Sequence, residues 1–279
     1  MTDMTVEQLV AQHYGRDGLE PAILAALTEA GKDIAHLDPV DLAGIDEFHL
    51  GWRAQTMALA ERLGLGRGDH VLDIGAGIGG PARCFAASYG CTVMGIDLTP
   101  EFVAVAEALT LRCGLSDQVS FLQGSALELP FGIAAFEAAT LIHVGMNIKD
   151  KATLFAEARR VLKPGGRFGV YDVMFAEDMV ALPYPMPWAA SPEASFVDTP
   201  ATYRRLLTLA GFAIEGEANR RDFTLDLSRE MRARAAESGR PGLGLHVIMG
   251  PAAKDRLRNV MDALERNMIA PIEIIARAV

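Results

Sequence analysis

A chain of 279 residues, half of them hydrophobic and 22% charged, is long enough for one large domain or a main domain with a smaller appendage. Its formal net charge of −10, with no Lys/Arg run longer than a pair, argues against a nucleic-acid partner and for work on small molecules. No stretch approaches the roughly 20 apolar residues of a membrane span, and the acidic N-terminal MTDMTVEQLVAQHYGRDG lacks a signal peptide's basic region, so a cytoplasmic protein is expected.

Taken in order, TVEQLVAQHYG, EPAILAALTEAG and FHLGWRAQTMALAERLGL each place apolar residues three and four apart, which predicts an N-terminal helical cap over residues 1–67. From His70 short apolar runs alternate with helical ones: HVLDIG then PARCFAASYG, TVMGID then PEFVAVAEALTLRCG, VSFLQG, AATLIHV then KATLFAEARRVL, RFGVYDVMF then TPATYRRLLTLAG. That alternation predicts an α/β domain, doubly wound around a parallel sheet, over 68–279. Thr99 before Pro100 and Thr199 before Pro200 read as N-caps, and KPGG at 163–166 as a helix end.

Two stretches break the alternation. Residues 176–198, rich in proline and aromatics, are too long for an ordinary connection and read as a lid. Residues 227–268 read as a helical insertion, two helices around a break at GRPGLG, before a closing strand in PIEIIARAV. Three cysteines, Cys84, Cys91 and Cys113, fit no zinc spacing and read as reduced thiols, with no metal site expected.

The stretch with the most chemistry is VLDIGAGIGG at 71–80. Its glycines satisfy G-x-G-x-x-G through Gly75, Gly77 and Gly80, and a tighter G-x-G-x-G through Gly75, Gly77 and Gly79. Asp73, two residues before the first glycine, decides between them. A carboxylate there suits an ammonium group and repels a pyrophosphate, while Asp97 at the end of the next strand suits two ribose hydroxyls. An amino-acid nucleoside fits better than a dinucleotide.

VLDIGAGIGGPAR, MGIDLTPEFVAVAE, QGSALELPF and LKPGGRFGVYD, in this order and at these separations, resemble the class I S-adenosylmethionine-dependent methyltransferases. The resemblance covers roughly residues 48–172, and the loop GIGGPAR with the upstream EFHLGWRAQT is similar to the group of sarcosine/dimethylglycine N-methyltransferases, sterol and tocopherol C-methyltransferases and quinone-biosynthesis C-methyltransferases. It implies a Rossmann-like sheet of seven strands with the last antiparallel, S-adenosyl-L-methionine as cofactor, and methyl transfer to a small molecule at nitrogen, oxygen or carbon.

Residue by residue, the resemblance implies that Asp73, Gly75, Ala76, Gly77 and Gly79 cradle the methionine part of the cofactor, Asp97 holds the ribose and Leu98 packs on the adenine. Ser125 and Ala126 fall where an acid and a small residue are usual, so the acid is missing. Ile142 and His143 would flank the sulfonium, and His49, Gly51 and Thr56 would close over the cofactor. His143 is the first-choice base, with Tyr171 and Asp172 behind it; Tyr14, Asn147, Tyr184, Trp188, Phe196 and His246 are the candidate acceptor contacts, with His13 beside Tyr14. The apolar segment MVALPYPMPWAA suggests an acceptor with nonpolar surface. A monomer or a homodimer is expected. The alternatives are a non-catalytic cofactor-binding subunit and a nicotinamide-dependent oxidoreductase.

Overall fold

The computed structural model describes residues 4–177, 179–238 and 243–279. Helices α1 (Val6–Tyr14), α2 (Leu19–Glu29), α3 (Ala43–Asp46) and α4 (Trp52–Leu63) precede the first strand. There follow β1 (His70–Ile74), α5 (Gly80–Tyr89), β2 (Thr92–Asp97), α6 (Pro100–Arg112), β3 (Val119–Gln123), β4 (Phe136–Ile142), α7 (Lys151–Val161) and β5 (Leu162–Phe175). The chain closes with α8 (Pro200–Leu209), β6 (Phe212–Asn219), α9 (Arg221–Ser238), α10 (Leu245–Met249), α11 (Ala253–Glu265) and β7 (Ile269–Ala278).

The seven strands form one sheet in the order β3-β2-β1-β4-β5-β7-β6, parallel except for β7, which runs antiparallel to both its neighbours. The central β1 is buried on both faces after His70, because helices cover both sides of a parallel sheet. Leu72, Ile74, Phe168 and Val170 pack with Leu154, Phe155 and Tyr203 on one face; Val71, Val93 and Tyr171 pack with Leu59 and Phe85 on the other. Strand order reverses between β1 and β4, which opens a crevice at their carboxyl ends.

Several local expectations change. Thr199 does cap α8 by accepting from the Thr202 N–H, but the Thr99 hydroxyl caps nothing; Asp97 Oδ1 accepts from the Thr99 N–H instead, at 2.8 Å. KPGG is not a helix end: α7 stops at Val161 and these residues open β5, where the register against β4 shifts between Phe136 and Ala138. The insertion's first helix starts at Arg221 rather than Leu227, and most of its GRPGLG break lies outside the described residues. FAIEGEAN forms β6, an edge strand missed because its outward positions are charged or polar.

The segment 176–198 is packed into the molecule over most of its described length. Met186, Trp188, Ala189 and Val197 are buried with Val173, Phe175 and Val260. The N-terminal helices share a core with α6 and α10 through Leu19, Ile23, Ile45, Phe102 and Ile248. These contacts place α1, the 176–198 segment and α10–α11 over the carboxyl ends of the strands.

Candidate functional site

A cavity of about 700 Å³ occupies that position. One wall is the loop after β1. Gly75 and Gly77 lie at φ +75° and +56°, where a side chain is strained, and a Cβ at Gly75 would also strike Val144. The N–H groups of Gly75 and Ala76 both bond to the Ile96 carbonyl at 2.8 and 3.0 Å, and Asp97 Oδ2 accepts from the Gly77 N–H at 2.8 Å. Asp97 therefore shapes the loop and faces the cavity at the same time.

Asp73 is 1% exposed; its Oδ1 accepts from Thr140 at 2.7 Å, while its Oδ2 is buried without a partner. Burial, with added repulsion from Asp97 and Glu47 and against the Thr140 hydrogen bond, pushes the carboxyl up to about 7. An orphaned carboxylate oxygen in a residue that lines the cavity calls for a donor, and a cationic one gains most. The wall thus fits an ammonium at Asp73 and hydroxyl donors at Asp97, and it would repel a phosphate. Leu98, Ala126 and Leu127 continue it as an apolar slot.

Ser125 does not line the cavity. Its hydroxyl donates to Glu7 of α1, and that glutamate does line it. Gly79, Gly51 and Thr56 also stand back: Gly79 caps α5, Gly51 caps α4, and buried Thr56 donates to Glu47 Oε2 at 2.6 Å. His49 faces the cavity, with its Nε2 2.8 Å from the same Glu47 oxygen and its Nδ1 at the Leu50 carbonyl. Those bonds fix its ring, edge-on to His143 at 5.7 Å between centroids.

His143 follows β4 at φ +54°, a left-handed conformation costly for a residue with a Cβ and held here by its N–H bond to the Tyr171 carbonyl at 2.7 Å. Its Nε2 is buried without a partner. Burial first, and then His49, holds the imidazole well below its usual range, so it is neutral at pH 7. A neutral imidazole with an unengaged nitrogen, in a residue of the cavity wall, is chemically able to accept a proton.

Tyr171 and Asp172, the second-choice bases, do not reach the cavity. Tyr171 lies 5.1 Å from the His143 ring centroid and donates to the Leu50 carbonyl, while Asp172 accepts from Tyr203 at 2.7 Å and from the Val173 N–H. Burial pushes Asp172 up to about 6, but both its oxygens are engaged. Successive strand residues point to opposite faces, so each enters a core layer.

Of the expected acceptor contacts, Tyr14, Asn147 and Trp188 line the cavity. They form one network: Tyr14 donates to Asn147 Oδ1 at 3.0 Å, and Asn147 Nδ2 donates to the Trp188 carbonyl at 2.8 Å. Tyr184 and Phe196 are half-buried and do not line it, and His246 is exposed, leaving Leu245 and Ile248 of α10 among the lining residues. The sequence reading missed Val10, Met146, Leu257, Val260 and Met261, which make this half apolar. Leu257, Val260 and Met261 share one face of α11, a spacing that was legible without showing which cavity it served.

Residues 72–170 match a family model described as a methyltransferase domain. A sterol 24-C-methyltransferase of Eremothecium gossypii is 37% identical over 133 residues, 48% of this chain, and the match spans 36% of that relative's length. Among solved structures, geranyl diphosphate C-methyltransferase from Streptomyces coelicolor A3(2) superposes with a TM-score of 0.69 over 100% of both chains at 19% identity. The [4+2]-cyclase SpnF does so with a TM-score of 0.67 over 99% of this chain and 97% of its own, at 24% identity. Residues 72–170 thus match a methyltransferase domain by sequence, and over its whole length the chain shares the fold of these solved structures.

Proposed function

We propose that the chain is an S-adenosyl-L-methionine-dependent methyltransferase whose acceptor is a small molecule with substantial nonpolar surface. One observation carries the reading: a cavity in which the unpartnered Asp73 oxygen, the glycine loop and Asp97 lie along one wall, and apolar side chains from α1, α10 and α11 form the other half. The cofactor supplies a methyl group activated on a sulfonium. Asp73 would bind its ammonium, Asp97 its ribose hydroxyls, and Leu98 with Ala126 its adenine. Glu7, held by Ser125, supports the adenine amino group in place of the acid absent from position 125.

Transfer from an activated donor needs alignment and exclusion of water more than a nucleophile. The network from Tyr14 through Asn147 to Trp188 holds the roof on the acceptor half. Where the acceptor is a hydroxyl or a protonated amine, His143 Nε2 takes the proton; an alkene or neutral amine needs no base, and the Trp188 ring then faces a developing cation. The partner is a small molecule, met by a monomer or homodimer in the cytoplasm.

Isothermal titration with S-adenosylmethionine and with S-adenosylhomocysteine tests the cofactor assignment. Micromolar binding of both is expected, abolished in Asp97→Ala and in Gly77→Val; binding retained in both variants overturns the site. A second reading has the same cavity bind the cofactor without transferring its methyl group, and the superposition on a [4+2]-cyclase favours keeping it, because fold does not settle chemistry. Cofactor binding with no methyl transfer to any acceptor that fills the apolar half would select it. A nicotinamide dinucleotide is disfavoured by the carboxylate at Asp73, which would face its pyrophosphate.

A further inference from the structure

Beside the main cavity, behind the rings of Tyr14, Phe48 and Phe102, lies a second chamber of about 230 Å³. Its walls come from the end of α1 and from the chain between α10 and α11, and its charged or titratable groups are His13, Tyr14, Arg16 and Arg256, with no carboxylate among them. Arg256 has a buried Nε without an acceptor and forms no ion pair among the described residues, whereas Arg258, two positions on, reaches Asp255 at 3.0 Å. Arg16 uses Nη1 on the Val247 carbonyl, and its guanidinium lies against Gly250. His13 is oriented by a 2.9 Å bond between Nε2 and the Pro187 carbonyl.

Although the chain has a net charge of −10 and Glu101 lies against Gly15 of the chamber wall, neither Arg16 nor Arg256 forms an ion pair among the described residues. A half-buried cation with unmet donors is unfavourable until an anion joins it. The planar fork of Arg256 matches two oxygens of a carboxylate or phosphate. The volume suffices for such a group with several waters, each needing about 30 Å³. We propose that this chamber binds an oxyanion, a carboxylate or a phosphate, between Arg256 and Arg16.

The site has a consequence for the main cavity. Val10 and Tyr14 of α1 and Leu257, Val260 and Met261 of α11 line that cavity, so an anion shared by Arg16 and Arg256 ties together the two segments that roof it. The anion is either free or the acidic end of a larger ligand whose apolar body lies next door. Its binding does not depend on whether a methyl group is transferred.

Calorimetric titration of the full chain with inorganic phosphate, and in parallel with decanoate and decanol, tests the proposal. Wild-type protein is expected to bind phosphate or decanoate; Arg256→Gln weakens that binding about tenfold or more, Arg256→Lys keeps most of it, and decanol binds all three alike. Binding of phosphate by itself assigns a free anion. Decanoate binding without phosphate binding assigns the acidic end of a larger ligand. An unchanged thermal midpoint and S-adenosylhomocysteine titration of Arg256→Gln keep this result separate from the cofactor reading. The proposal is overturned when wild type binds neither anion, or when binding survives in both Arg256→Gln and Arg16→Gln.

Discussion

His143, which lines the cavity, combines a strained backbone with a buried Nε2 that has no partner. The Tyr171 and His49 rings fix its orientation, so removal of the imidazole leaves its supports in place. With an acceptor that must lose a proton, His143→Ala should lower turnover about a hundredfold, while cofactor affinity changes by no more than about twofold. Steady-state rates beside calorimetry check this, and equal activity would reduce the residue to a structural role. Asp73 makes a second prediction at this scale. Its carboxyl, raised from 3.8 to about 7, binds its proton more tightly in the folded chain, so its contribution to stability is full below about pH 4 and is withdrawn as pH climbs to 7. Asp73→Asn keeps an acceptor for Thr140 and removes that loss. The ligand-free variant should gain on wild type between about pH 4 and 7 and stay ahead by roughly 2–4 kcal/mol above it, with cofactor binding lost. Urea unfolding across that range reads the difference, and a gap that does not grow with pH refutes the account.

At the level of elements, α5 is tied to its surroundings by one buried cation. Arg83, fully buried in GIGGPAR, pairs with Asp46 of α3 and donates to Thr110 of α6 at 3.1 Å. Burial pushes Asp46 up to about 6 even with the guanidinium beside it. Loss of one partner strands the other, so Arg83→Met should cost about 3–5 kcal/mol, and the double variant Arg83→Met with Asp46→Leu should recover most of it. Denaturant midpoints test both. A double variant no better than the single one would mean that packing, rather than the stranded charge, sets the cost. α5 opens directly from the glycine loop, so this ion pair also holds the glycine-loop wall of the cavity against the N-terminal helices.

For the whole molecule, the main cavity exists only because segments far apart in sequence converge on one end of the sheet. Val10, Trp188, Ile248 and Met261 meet there although 251 positions separate the first from the last. Among the described residues no helix is long and apolar enough to cross a membrane. The apolar surface of α1, α10 and α11 turns inward instead and makes that half of the cavity apolar.

The sequence by itself determined the alternation of strands and helices, the glycine loop with Asp73 two residues before it, and Asp97 at the next strand end. These depend on short spacings and on the few residue types that tolerate left-handed backbone or suit a buried acceptor, both of which are local properties. Tertiary structure alone decided that Asp97 braces the loop through the Gly77 N–H, that Tyr171 and Asp172 face core layers, and that Glu7 reaches Ser125 from 118 positions away. It alone brought Arg16 beside Arg256. Such pairings have no signal in spacing, because they are set by how helices pack over a finished sheet and by which polar atoms that packing leaves without partners.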